Sequence, residues 1–155
     1  MDFTKRDARA AAETAQFCHL RDQETGEYMM DGDTPIGAFV LGSSARSVHA
    51  ALKASHRAKM HFPLRDANDE VDEMKMIEDM QADMVRSASA VTASFQGVQR
   101  GDADATASDA PWFYDLNMFS TKHLLKPNPK RWQKLSYAQQ VMEFSNDNGK
   151  YLGNA

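Results

Sequence analysis

Residues 17–53, FCHLRDQETGEYMMDGDTPIGAFVLGSSARSVHAALK, constrain the fold more than any other stretch of this chain. A short apolar run, Phe17–Leu20, gives way to the polar segment Arg21–Glu27. Thr25-Gly26 and Asp31-Gly32 are turn signals. A second apolar run, Ile36–Leu41, ends at Gly42-Ser43-Ser44. Its Phe39, Val40 and Leu41 suit a pleated, half-buried surface. Pro35 stands at the start of that run, where a missing N–H does least harm. The pattern predicts two strands joined by a polar turn and handed directly into a helix, with Ser43 or Ser44 as its N-cap.

The flanking segments read as helices. Residues 4–16 are Ala-rich with interspersed charge and predict a short N-terminal helix. The helix after Ser44 is expected to stop near Pro63. It carries Arg46, Lys53, Arg57 and Lys59 with no acid among them, and its apolar stripe is narrow. A long amphipathic helix is predicted over 68–94, with Val71, Met74, Ile77, Met80 or Gln81, Met84, Ala88, Val91 and Phe95 on one face. Its first half is acidic, so the two helices read as an αα-hairpin with complementary sides. Residues 101–111 lack periodicity and read as an exposed loop, followed by the aromatic anchor Trp112-Phe113-Tyr114. Ser120 is expected to cap a short helix ending before Pro127. A last helix is predicted over 130–146, with Gly149 past its end.

Taken together, the 155 residues predict a single α+β domain that is mostly helical. A small N-terminal β-hairpin module (17–44) is expected ahead of a body of about four to five helices. The body would comprise a helical hairpin (45–95), a loop with an aromatic anchor (96–116) and C-terminal helices (117–155).

Catalytic chemistry finds little support. The acidic stretch 66–73 lacks the glycine and the terminal glutamate that an EF-hand loop needs in register. Five histidines, at 19, 49, 56, 61 and 123, include no His-Glu-x-x-His pattern. The single cysteine, Cys18, lies beside His19, and neighbouring strand residues point to opposite faces, so a buried structural thiol is expected. Gly42-Ser43-Ser44 lacks the pattern of a phosphate loop. No enzyme activity, metal or cofactor is expected. No apolar run reaches the roughly 18–20 residues of a membrane span.

Two features suit protein partners. Ten methionines suit a Met-rich core first and an adaptable apolar surface second, so Met74, Ile77 and Met84 on the long helix are either core or the candidate partner-binding residues. Lys126, Lys130, Arg131, Trp132 and Lys134 form a basic, aromatic-containing second candidate. Such interleaving can bind nucleic acid, but the net charge of −4 argues against it. A solvated face or a partner surface is expected there instead.

The order of motifs carries a resemblance. Asp22-x-x-Thr25-Gly26-Glu27 precedes a strand ending in Leu41-Gly42-Ser43-Ser44 and an immediate helix. Further on come Phe95-Gln96-Gly97, Phe119-Ser120, Leu124-Leu125, Pro129, Arg131-Trp132, Gln139-Gln140-Val141, Phe144 and Asn146-Asp147-Asn148. This layout, over about residues 17–152, resembles tail assembly chaperone-like proteins of tailed bacteriophages. The resemblance implies a non-enzymatic protein of the host bacterial cytoplasm that binds tape-measure and tail-tube proteins during tail assembly. The alternative it leaves open is a permanent subunit of the virion, in the tail, neck or head. The sequence sets no oligomeric state.

Overall fold

The structure is a computed structural model, and it describes residues 3–59, 73–116 and 135–153. Those residues form three small antiparallel sheets and six α-helices in a mixed α+β arrangement. The expected division into an N-terminal hairpin and a helical body does not hold. The reason lies in a strand from the middle of the chain that completes the main sheet.

A 3₁₀ turn, Phe3–Arg6, leads to α1 (Ala8–Ala12). The single predicted helix over 4–16 is interrupted because the Asp7 carboxylate accepts the Arg9 and Ala10 amides at 3.0 and 3.3 Å, capping a new start. Strand β1 (Gln16–His19) follows. Strands β2 (Met30–Asp31) and β3 (Thr34–Pro35) form a two-residue ladder turned at Gly32, whose φ is +61°. Strand β4 (Gly37–Val40) then pairs antiparallel with β1, setting Phe17 opposite Phe39. Their rings lie 5.3 Å apart as a cross-strand pair.

Helix α2 (Arg46–Lys59) packs on α3 (Glu73–Val91). The link between them lies outside the described residues. The long helix ends at Val91 and not at residue 94. Strand β5 (Thr92–Gln96) begins at once and lies along β4, giving the order β1-β4-β5. Thr92 makes the switch: its hydroxyl donates to the Ala88 carbonyl (2.7 Å) and meets the buried Tyr114 hydroxyl (2.5 Å). Phe95, expected on the helical face, is thereby a strand residue that packs edge-on against Phe113 at 5.1 Å.

The expected loop over 96–116 is also structured. Strands β6 (Gln99–Arg100) and β7 (Ala103–Asp104) form a hairpin turned at Gly101, at φ +66°. A 3₁₀ turn, Ala107–Asp109, then leads to α4 (Ala110–Asp115). The Asp109 carboxylate accepts the Thr106 amide at 2.9 Å and binds Arg100. Tyr114 and Phe113 enter the core from α4, and Phe113 stacks on Tyr137 at 5.1 Å.

Helix α5 (Tyr137–Ser145) starts later than the predicted helix. Ser136 and Gln139 form a reciprocal capping box, with the Ser136 amide donating to Gln139 (2.9 Å) and the Gln139 amide to Ser136 (3.2 Å). Helix α6 (Asn148–Tyr151) contains Gly149, which therefore does not mark a helix stop.

The end of β4 is where these pieces meet. The Leu41 amide donates to the Val91 carbonyl at 2.7 Å, Gly42 to Ala12 at 2.9 Å and Ser43 to Ser145 at 2.9 Å. The Val40 carbonyl accepts the Tyr151 hydroxyl (2.5 Å), and the Leu41 carbonyl accepts the Ser145 hydroxyl (2.8 Å). Ser43 and Ser44 thus serve the C-terminal segment, Ser44 through Asn148 at 3.0 Å. The opening turn of α2 is bonded by Glu13 instead, which takes the Ser47 amide at 3.1 Å and its hydroxyl at 2.8 Å. These bonds, led by the Ser47 amide, hold the Glu13 carboxyl below its ordinary pKa.

Gly42 is a glycine because there is no room for more. A Cβ there would stand 2.6 Å from the Ala12 Cβ and 3.3 Å from the Tyr151 ring. Replacing Gly42 with Ala is expected to lower stability by about 1–3 kcal/mol, the usual cost of forcing a methyl into packed surroundings. Urea unfolding checks this; an unchanged midpoint would show that α1 and α6 are not seated there.

Candidate functional site

The described side chains of α3 separate into two groups. Gln81, Met84, Ala88 and Val91 turn toward the body of the protein: Ala88 and Val91 are fully buried, and Met84 packs half-buried against the core. Nearer the helix start, apolar side chains stay in solvent. Ile77 is 39% exposed, Met76 47% and Met80 63%. Residues 76 and 80, and 77 and 80, are four and three apart, so the three side chains form one stripe on the helix surface. Of the three residues expected to bind a partner, Ile77 lies on this stripe and Met84 belongs to the core. Met74 lies in α3, but its side chain is outside the described set. Lys126, Lys130, Arg131, Trp132 and Lys134 all fall outside the described residues.

Met76 was missed by sequence reasoning because a strict apolar periodicity skips it. Gln81 shows the opposite. It is 7% exposed, and both of its amide atoms lack a hydrogen-bond partner among the described residues. A buried amide in that state costs on the order of 1–3 kcal/mol. This buried amide sits beside the exposed stripe, four residues from Ile77.

Two grooves are formed by described residues. One, of about 350 Å³, runs between α2 (Ala51, Leu52) and α3 (Val85, Ser89, Ala90), and its walls are almost wholly apolar. The other, of about 260 Å³, lies between β1 and the C-terminal helices. His19 stacks on Tyr28 at 4.4 Å, and its Nε2 lies 2.8 Å from the Met29 carbonyl, so that nitrogen donates. The Arg21 guanidinium lies 3.8 Å over the Tyr28 ring and donates to the Gly26 carbonyl at 3.0 Å. On the far wall Gln140 grips the Arg21 backbone, accepting its amide at 2.8 Å and donating to its carbonyl at 3.0 Å. These polar groups are committed to holding the fold.

The Asp22–Glu27 turn is equally self-contained. The Asp22 carboxylate accepts the Glu24 and Thr25 amides at 2.8 and 3.0 Å, which draws its pKa below the ordinary value. Cys18 is buried, and burial pushes its thiol up to about 12. Among the described residues, no three His, Cys, Asp or Glu side chains are grouped to hold a metal. Nor is any described helix long and apolar enough to cross a membrane.

Comparison with family models, with characterised proteins and with solved structures gives no match to this chain.

The buried thiol gives a direct check of the β1 placement. A thiol raised to about 12 holds its proton at pH 8, and the reactive thiolate is the minor species there. Iodoacetamide at pH 8 is expected to label Cys18 at least about tenfold faster in urea than in the folded protein. Equal rates would place the thiol in solvent.

Proposed function

We propose that this chain is a non-enzymatic binding protein that presents the exposed end of α3 to a partner. The carrying observation is the stripe Met76, Ile77 and Met80, which stays in solvent although the same helix buries Ala88 and Val91 two to four turns later. Exposed flexible methionines adapt to differently shaped partners, and an apolar helical stripe suits helix-on-helix docking.

The motif order from Asp22 to Asn148 supplies the partner class. It supports a role in bacteriophage tail assembly, with tape-measure and tail-tube proteins as clients in the host cytoplasm. Co-expression with a tape-measure protein, followed by affinity purification and mass spectrometry of intact virions, tests this role. Co-purification with absence from virions is expected. Presence in virions at tens of copies would replace the assembly role with that of a permanent virion subunit.

Substitution separates stripe from core. The triple variant Met76→Ser, Ile77→Ser, Met80→Ser is expected to melt within about 1 kcal/mol of the parent and to lose client capture, because these side chains are exposed. Met84→Ser, from within the core contact, is expected to cost about 1–3 kcal/mol. Unfolding of the triple variant would assign the stripe to structure.

A further inference from the structure

The residues bordering the stripe define the partner further. On a helix, the surface neighbours of a residue are those three and four positions away. Asp79 borders Met76, and Asp83 borders both Met80 and, one turn on, Asp79. The cations of the described helix, Lys75 and Arg86, are not three or four residues from any of Met76, Ile77 and Met80. They occupy the row behind the acids, and Arg86 bonds Asp83 there as a solvent-exposed ion pair. Among the described residues of α3, the exposed row is therefore apolar with an acidic border. An exposed ion pair such as Arg86–Asp83 contributes little to stability.

We infer that the occupant of this stripe is a basic amphipathic helix, with apolar side chains at three- and four-residue spacing and lysine or arginine along one border. This inference rests on the binding role proposed above. A second copy of the chain fits less well: three partly exposed side chains offer far less than the roughly 800 Å² per partner of a stable protein interface. A short helix needs less surface, and charge at the border speeds its encounter and selects it over acidic helices.

The test uses the full chain and two synthetic 18-residue helical peptides with the same leucine face, one bordered by lysine and one by glutamate. Binding is read by fluorescence anisotropy at low and moderate salt. The lysine peptide is expected to bind at least about tenfold tighter than the glutamate peptide, and to weaken as salt rises. Asp79→Asn with Asp83→Asn should erase that preference while leaving the melt unchanged, and Met76→Ser with Met80→Ser should abolish binding of both peptides. Equal binding of the two peptides would overturn the basic-helix inference while leaving an apolar docking face in place. Lysine-peptide binding that survives the methionine substitutions would show attraction to the acidic chain in general and overturn it. Binding of neither peptide would overturn it too, and client co-purification would then decide the binding role separately. Self-association that disappears in the methionine variant, seen by sedimentation, would make the occupant a second copy and overturn it as well.

Discussion

Residues 40–43 hold this protein together. Buried backbone amides and carbonyls must find partners, because leaving one unpaired costs much of its hydration energy. The three successive amides of Leu41, Gly42 and Ser43 find theirs at the ends of three different helices: Val91 in α3, Ala12 in α1 and Ser145 in α5. The carbonyls of Val40 and Leu41 find theirs in the Tyr151 and Ser145 hydroxyls, more than 100 residues along the chain. Ser145 thus both accepts from this segment and donates to it. Gly42 lets α1 and Tyr151 approach closely enough for the arrangement to close.

Closure at that point decides what α3 can do. Its last turn is fixed by Val91, which bonds Leu41, and by Thr92, which bonds Ala88 and Tyr114 as the chain enters β5. A helix held at its C-terminal end buries the side chains near that end. Toward the other end of its 19 residues, Met76, Ile77 and Met80 remain exposed. The exposed stripe and the fixed junction are two ends of one rigid element. A partner on the stripe would therefore meet a preorganised surface, which lowers the entropy lost on binding.

Local signals made part of this legible in the sequence. Apolar runs bounded by turn residues marked β1 and β4 to within a residue or two, and the Asp22 turn follows from its side chain capping its own backbone. Non-local pairing was the part that sequence could not supply. Val91-Thr92 continues the helical period of α3 without a glycine or proline, and only the pairing of β5 with β4 makes it a helix end. Ser43 and Ser44 look like helix caps by type and position, yet Glu13 takes that role from outside the local segment. In one case the signal was present and unused: Ser136 and Gln139 have the spacing of a capping box. On the candidate surface, periodicity places Ile77 on the apolar face of α3, whereas the exposure of Met76 and the division between Met80 and Gln81 depend on how far the core extends along α3.

Native-state hydrogen exchange of the Leu41, Gly42 and Ser43 amides, followed across low urea concentrations, tests the junction most directly. Three bonds made to three helices, but released only together, should exchange at one common free energy equal to that of global unfolding, with the same urea slope. Exchange of Ser43 or Gly42 through a smaller opening, at a lower free energy and shallower slope than Leu41, would contradict that. It would mean that α5 or α1 leaves the sheet independently and that residues 40–43 do not join the structure into one unit.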